Sequence, residues 1–278
     1  MMVDYQNIFI LTQKELRDAR RNRWLVLYTV AFAALSLALA WLALSGAGRY
    51  GLAGFGRTAA SLINLVLLIV PLMGLTLGAL SLAGERDQGT LAYLMTQPIS
   101  QTEMLLGKFL GMALALLAAL GLGFGITGAV ITASGGGAQA DAYLLLVLFA
   151  FLLAVASLSL GFFLSAAVRK AATAVGLALF LWLLLAFFGD LGLMGTALVT
   201  RLDIAQLFTL TLINPLQLFR VAAVLNIRGN LELLGPAGVY ATRTFGAALL
   251  PLLIGLLLLW IALPFAGTMA LFKRRGIL

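Results

Sequence analysis

Side chains able to do chemistry are few here, and two of the most versatile are missing. The 278 residues contain no His and no Cys. That removes the imidazole general base, the thiolate nucleophile, the disulfide and the two commonest transition-metal ligands together. A His-Glu-x-x-His zinc site and a Ser/His protease are excluded with them. An aspartyl-type intramembrane protease needs Asp inside an apolar stretch. Asp190 stands only at the end of one, after Phe187-Phe188-Gly189 and without a Gly-x-Gly-Asp context. Gly107-Lys108 lacks the earlier glycine and the following Ser/Thr of a phosphate-binding loop. The eight methionines form no Met-x-x-Met ladder. These residues predict no catalytic site and no metal site. What remains is charge: Glu85, Arg86 and Asp87 in a row, Glu103 and Lys108 after them, and the basic set Lys14, Arg17 and Arg21.

The elements that must carry those charges are apolar. Hydrophobic residues make up 63% of the chain and charged residues 10%, too few polar groups to cover a water-facing surface. The chain reads as an all-α integral membrane protein. A bilayer core about 30 Å thick takes about 20 apolar residues as helix. Six stretches reach that length or nearly so: residues 24–45, 59–83, 105–132, 143–168, 171–189 and 245–272. Six transmembrane helices are expected. The first is too long for a signal-peptide core and follows a charged segment, so it is read as a span. None has a charged residue at its centre, which argues against a proton-coupled carrier.

The net charge of +8 does not point to nucleic acid in such a chain; it sets orientation. Segments 1–23, 85–108, 169–170 and 273–278 hold 12 of the 18 Lys and Arg, and the opposite side holds six. Both termini are expected in the cytoplasm, in a multi-pass protein of the inner membrane. On the third stretch, Gly107, Gly111, Ala115, Ala118, Gly121 and Gly125 follow helical spacing, and Gly74 and Gly78 repeat the pattern on the second. Such stripes let helices approach closely, within one subunit or between two.

The segments outside the spans carry further signals. Residues 1–23 predict an amphipathic interface helix whose Lys14, Arg17 and Arg21 share a basic face against lipid. Residues 24–278 form the six-span domain. Within it, in the segment 84–108, Gly89 and Pro98 bound a short helix containing Tyr93 and Leu94. That helix has no evident core of its own to enter, so it lies at the interface or docks on another protein. Ser100 and Glu103 fit a capping box that starts the next helix. In the outer segment 190–244, Asn214 is an N-cap and Pro215 the first helical residue. The helix carries Leu216, Phe219 and Ala223 on one side and is expected to lie flat on the outer face, with Gly235-Pro236 as a turn.

The run Gly84 to Gly111, GERDQGTLAYLMTQPISQTEMLLGKFLG, closely resembles the cytoplasmic segment of ABC-2 type transporter permeases, with Asp87 where Glu is common. The basic helix before the first span and the six-span layout fit the same family. The resemblance implies that the segment around Thr90 and Ser100 is a coupling helix docking into a cytoplasmic ABC ATPase. Glu85, Arg86, Asp87, Gly89, Thr90, Tyr93, Leu94, Pro98, Glu103 and Lys108 would be the coupling residues, and Lys14, Arg17 and Arg21 a second contact. ATP and Mg would be bound by that ATPase and no cofactor by this chain, which would pair with a second copy as a homodimer.

Within the family, Lys14-Glu15-Leu16, Arg21-Asn22-Arg23-Trp24 and Asn214-Pro215 are most similar to NosY-type permeases of nitrous-oxide reductase maturation transporters. That similarity implies a periplasmic β-helical partner of NosD type, for which Asn214, Pro215 and Phe219 would form an outer platform. It also implies a role in copper-site assembly, through a sulfur species or copper delivery. A generic ABC-2 exporter of lipid, drug or other hydrophobic substrate, and a non-transporting membrane anchor, are the alternatives.

Overall fold

A computed structural model describes residues 4–45, 53–133, 140–189, 204–228 and 236–275. Among these, all regular structure is helical. In chain order the helices are α1 (Tyr5–Ala19), α2 (Arg23–Ser45), α3 (Ala53–Asp87), α4 (Thr90–Met95), α5 (Gln101–Ala133), α6 (Ala140–Ala167), α7 (Ala171–Phe187), α8 (Ile204–Leu212), α9 (Pro215–Arg228), α10 (Pro236–Phe245) and α11 (Leu249–Arg275). A 3-10 turn, Gly246–Ala248, leads into the last. Of the expected outer segment, 190–203 and 229–235 (including Asp190 and Gly235) lie outside the described residues, as do 276–278.

Among the described residues, five helical stretches are long and apolar enough to cross a membrane: Arg23–Leu42, Ala60–Asp87, Gln101–Ala133, Ala140–Ala167 and Val239–Arg274, the last running through α10, the 3-10 turn and α11. The expected fifth stretch forms α7, an apolar helix of 17 residues. At 1.5 Å per residue it spans about 26 Å, a little short of a bilayer core.

Helix boundaries follow local chemistry. Asp4 caps α1 by accepting from Gln6 N–H at 2.9 Å. Asn22 caps α2, its side-chain oxygen accepting from Trp24 N–H at 3.0 Å. Ser100 and Glu103 form the expected reciprocal box, Glu103 N–H to Ser100 Oγ at 3.2 Å and Ser100 N–H to Glu103 Oε2 at 3.0 Å. Gly89 adopts φ 74°, a left-handed conformation that costs glycine little, and so turns the chain between α3 and α4.

The centre of the bundle is α3 packed on α6. A Cβ on Gly74 would meet the carbonyl oxygen of Ala154 at 2.5 Å, and one on Gly161 that of Leu75 at 2.5 Å. Backbones therefore touch where side chains would separate them. Near one end Ser165 pins the pair, donating to Ala79 O at 2.7 Å and accepting from Leu82 and Ala83 N–H at 3.0 and 2.8 Å. A small apolar cluster gathers at this end, joining Leu11, Leu82, Leu91, Met104, Ala166 and Phe272. It brings α1, α4, the α6–α7 junction and the last turn of α11 to the same end of the bundle.

Candidate functional site

That end carries the charged residues, and the way α3 presents them explains their order. The second apolar stretch does not stop at Ala83. The helix runs on through Asp87, so Glu85, Arg86 and Asp87 are helical and not part of a solvated loop. Successive residues on an α-helix diverge by about 100°, which sends three adjacent side chains in three directions. Each finds a different element.

Glu85 points to α5, where its Oε1 accepts from Lys108 Nζ at 2.6 Å. Lys108 also donates to Glu15 of α1 at 2.8 Å. Lys14 closes the group, 3.1 Å from Glu15, 3.5 Å from Asp18 and 3.6 Å from Glu85. The Lys108 side chain is 1% exposed and that of Glu15 6%. Ions so far from water need close partners, and this cluster supplies them. Burial raises the Glu15 carboxyl, but the Lys108 and Lys14 ammonium groups outweigh it and hold it below the usual carboxylate value. For Lys14, burial works downward, but the charges of Glu15, Glu85 and Asp18 prevail and raise it.

Arg86 reaches the end of α6, donating to the Val168 carbonyl at 2.6 Å. Asp87 meets the start of α7, its Oδ2 accepting from Ala171 N–H at 3.4 Å. Each charge suits the helix end it meets, a cation at orphan carbonyls and an anion at orphan N–H groups. The three residues tie the end of α3 to α1 and α5, to α6, and to α7.

Glu103 makes a second brace. Beyond the box with Ser100, it accepts from Asp4 N–H at 2.9 Å and Asn7 Nδ2 at 3.2 Å, holding the start of α1. The rest of α1 lies on the small residues of α5. A Cβ on Gly107 would sit 2.5 Å from that of Leu11, and one on Gly111 2.5 Å from that of Glu15. The first part of the stripe thus seats a helix of the same chain, while Gly121 and Gly125 have open space beside them.

Hung between these braces, α4 does have a core to enter, contrary to expectation. Leu91 is buried in the end cluster, with Leu94 and Met95 packed against it. Tyr93 is 71% exposed, and Gly89, Thr90 and Pro98 are exposed around it. The helix is fixed on one side and free on the other.

Two expectations are corrected. Lys14, Arg17 and Arg21 do not share one basic face: Lys14 turns into the acidic cluster, and Arg21 lies past the end of α1. On the far side, Asn214 is the predicted cap, accepting from Leu216 N–H at 2.9 Å and donating to Leu185 O at 2.6 Å. Yet Asn214, Pro215 and Phe219 are all buried, because α9 packs on α6, α11 and α3 with its apolar side inward. None of the three presents a surface to a second protein in this conformation. Among the described residues no group of three or more His, Cys, Asp or Glu could hold a metal ion.

Comparison with known proteins bears on what such a braced bundle is. A model of the ABC-2 family transporter protein family matches residues 9–277. The chain belongs to the ABC-2 transporter family. Two curated relatives cover nearly its whole length, both described as probable ABC transporter permease protein NosY. One, from Stutzerimonas stutzeri, is 31% identical over 274 residues, 96% of this chain and 98% of the relative. The other, from Pseudomonas aeruginosa, is 33% identical over 276 residues, 97% and 99% of the two chains. The chain is an ABC transporter permease of the NosY type, all-helical and membrane-embedded. The resemblance read from residues 84–111 is borne out at full length.

Sequence reasoning missed Glu15 and Leu91. Glu15 left a signal: Leu11, Glu15 and Ala19 fall four apart and form the buried face of α1, so an acid there needs a buried cation across from it. Leu91 left none that distinguishes it from Leu94.

Proposed function

We propose that this permease subunit couples ATP hydrolysis on a separate cytoplasmic ABC ATPase to events across the membrane. Closure of the ATPases on nucleotide would push on α4. Because α4 is held by Gly89 to the end of α3 and by the capping box to the start of α5, its displacement moves both helices. The charges at 85–87 and 108 then pass the movement to α1, α6 and α7 as one body. The observation that carries the reading is the exposed Tyr93 on a short helix braced by buried charges.

In this account α7 is also a crossing, the fifth in chain order and the one that brings the total to six, its shortfall absorbed by local bilayer thinning. The braced end faces the cytoplasm, since the basic residues of α1, Arg169-Lys170 and Lys273-Arg274 lie at it. Two copies and two ATPases form the working unit, with ATP and Mg in the ATPases. The chain's role is in nitrous-oxide reductase copper-site maturation, alongside a periplasmic β-helical protein of NosD type. A chain without Cys or His favours a sulfur-containing cargo, or mechanical transmission to that partner, over copper passing through it.

The test is purification of the tagged chain from its native membranes in mild detergent, with identification of co-purifying proteins. An ABC ATPase in near-equal amount, whose hydrolysis responds to the permease, is expected. A homo-oligomer without ATPase, even with nucleotide present, returns the chain to a non-transporting anchor.

A further inference from the structure

Beside the braced end, a cleft of about 690 Å³ opens between α1, α2 and α5. That is the size of a site for a small organic ligand, and its lining is basic on α1 and largely apolar on α2 and α5. Arg17 of α1 and Arg20, the residue that caps its C-terminus, line it, both exposed. Leu25, Val26 and Val30 of α2 line one side and Leu122 of α5 another, with Val26, Val30 and Leu122 exposed. Ala115, Ala118 and Ala119 of α5 complete the lining, the first two continuing the small-residue stripe that seats α1.

The lining contains no Asp or Glu. The acids nearest in sequence on α1 are engaged elsewhere, Glu15 with Lys108 and Asp18 with Lys14. The two guanidinium groups therefore set an uncompensated positive side against an apolar one. Trp24, half-exposed and stacked on Tyr28 at a centroid distance of 6.1 Å, marks the level at which aromatic rings meet headgroups. From Arg23 to Val30, α2 descends about 10 Å below that level.

We propose that this cleft binds one anionic phospholipid of the inner leaflet. Its phosphate is held by the guanidinium forks of Arg17 and Arg20, and the first part of an acyl chain lies on the alanines of α5. Guanidinium suits phosphate because its planar donors match two oxygens at once. A neutral apolar molecule leaves the arginines unanswered, and a soluble anion leaves the apolar side empty. The inference rests on the reading above in one respect, that α1 lies on the cytoplasmic side of the membrane. A lipid here would bridge α1 to the first span, next to the brace that positions α4.

The experiment is native mass spectrometry of the full chain, purified in mild detergent and equilibrated with phosphatidylglycerol or phosphatidylcholine. One phosphatidylglycerol per chain is expected to survive, and phosphatidylcholine not. The pair Arg17→Gln, Arg20→Gln should weaken retention about tenfold or more, as loss of charge-assisted bonds implies. Ala118→Phe, which fills the apolar side and leaves both charges, should weaken it as well. Equal retention of the two lipids, displacement by inorganic phosphate alone, or unchanged retention in both variants would overturn the proposal. So would a change of oligomeric state in Ala118→Phe with retention unchanged, which would make a second copy the occupant. ATPase co-purification, scored in the same samples, separates this proposal from the permease reading: lipid retained with no ATPase present sinks only the latter.

Discussion

Lys108 Nζ lies 2.6 Å from Glu85 Oε1, joining α3 and α5 on either side of the short helix α4. The pair is placed where α3 leaves the apolar bundle and α5 enters it, with α4 between them in the chain. Around it the consecutive Arg86 and Asp87 hold the next two helix ends.

Removing the cation should be costly. Lys108→Met leaves Glu15 and Glu85 facing each other with only the half-exposed Lys14 nearby, at 3.1 and 3.6 Å. A loss of about 3 kcal/mol is expected, the lower end of the cost of breaking a buried pair. Thermal unfolding in detergent measures it, and adding Glu15→Gln and Glu85→Gln should recover most of the loss.

Seating of α1 depends on the absence of side chains on α5. Gly111→Val introduces a Cβ into the contact with Glu15 and Thr12 and should cost about 1–3 kcal/mol through overpacking. Limited trypsin digestion should then cut faster at Arg20 and Arg21, while Gly121→Ala, which faces open space, should digest like the wild type.

The two sides of α4 should separate docking from folding. Tyr93→Asp changes an exposed residue and should leave the unfolding temperature unchanged while lowering ATPase stimulation severalfold. Leu91→Asp puts a charge into the end cluster and should destabilise the chain itself. If Tyr93→Asp stimulates normally, the exposed face of α4 is not the docking face.

The charge cluster also predicts a pH profile. A carboxyl held lower when folded than when unfolded contributes fully above its unfolded value, here 4.5 for Glu15, and the contribution is lost as pH falls through the folded value. Lys14, raised from 10.5, contributes fully below that value and loses it as pH rises through the folded one. The unfolding temperature should therefore be flat from about pH 6 to 9 and fall below about pH 4.5. Glu15→Gln should fall less steeply on the acid side, as thermal melts from pH 3 to 8 would show.

Much of this architecture is legible in the amino-acid order because the bilayer imposes it. Long apolar stretches must be helical, and Ser100 with Glu103, or Asn214 with Pro215, announce helix starts through local hydrogen bonds. What the order hides is long-range pairing. Nothing within ten residues of Lys108 names Glu15 as its partner, and the repeat of Gly107 and Gly111 says that something packs there without saying that it is α1. Helix α9 packs inward for a reason the order hides in the same way. An amphipathic helix of this length reads the same whether its apolar side meets lipid or the faces of α6 and α11, and only the tertiary packing decides.

The most direct test of coupling uses the chain's lack of cysteine. Tyr93→Cys creates a single thiol on the exposed face of α4, and Leu110→Cys places one on the exposed surface of α5 instead. Native membranes carrying either variant are treated with a short bifunctional thiol–amine cross-linker. The account predicts a permease–ATPase adduct from Tyr93→Cys, altered by nucleotide, and none from Leu110→Cys. Labelling of Tyr93→Cys without any ATPase adduct, or equal adducts from both positions, would contradict it.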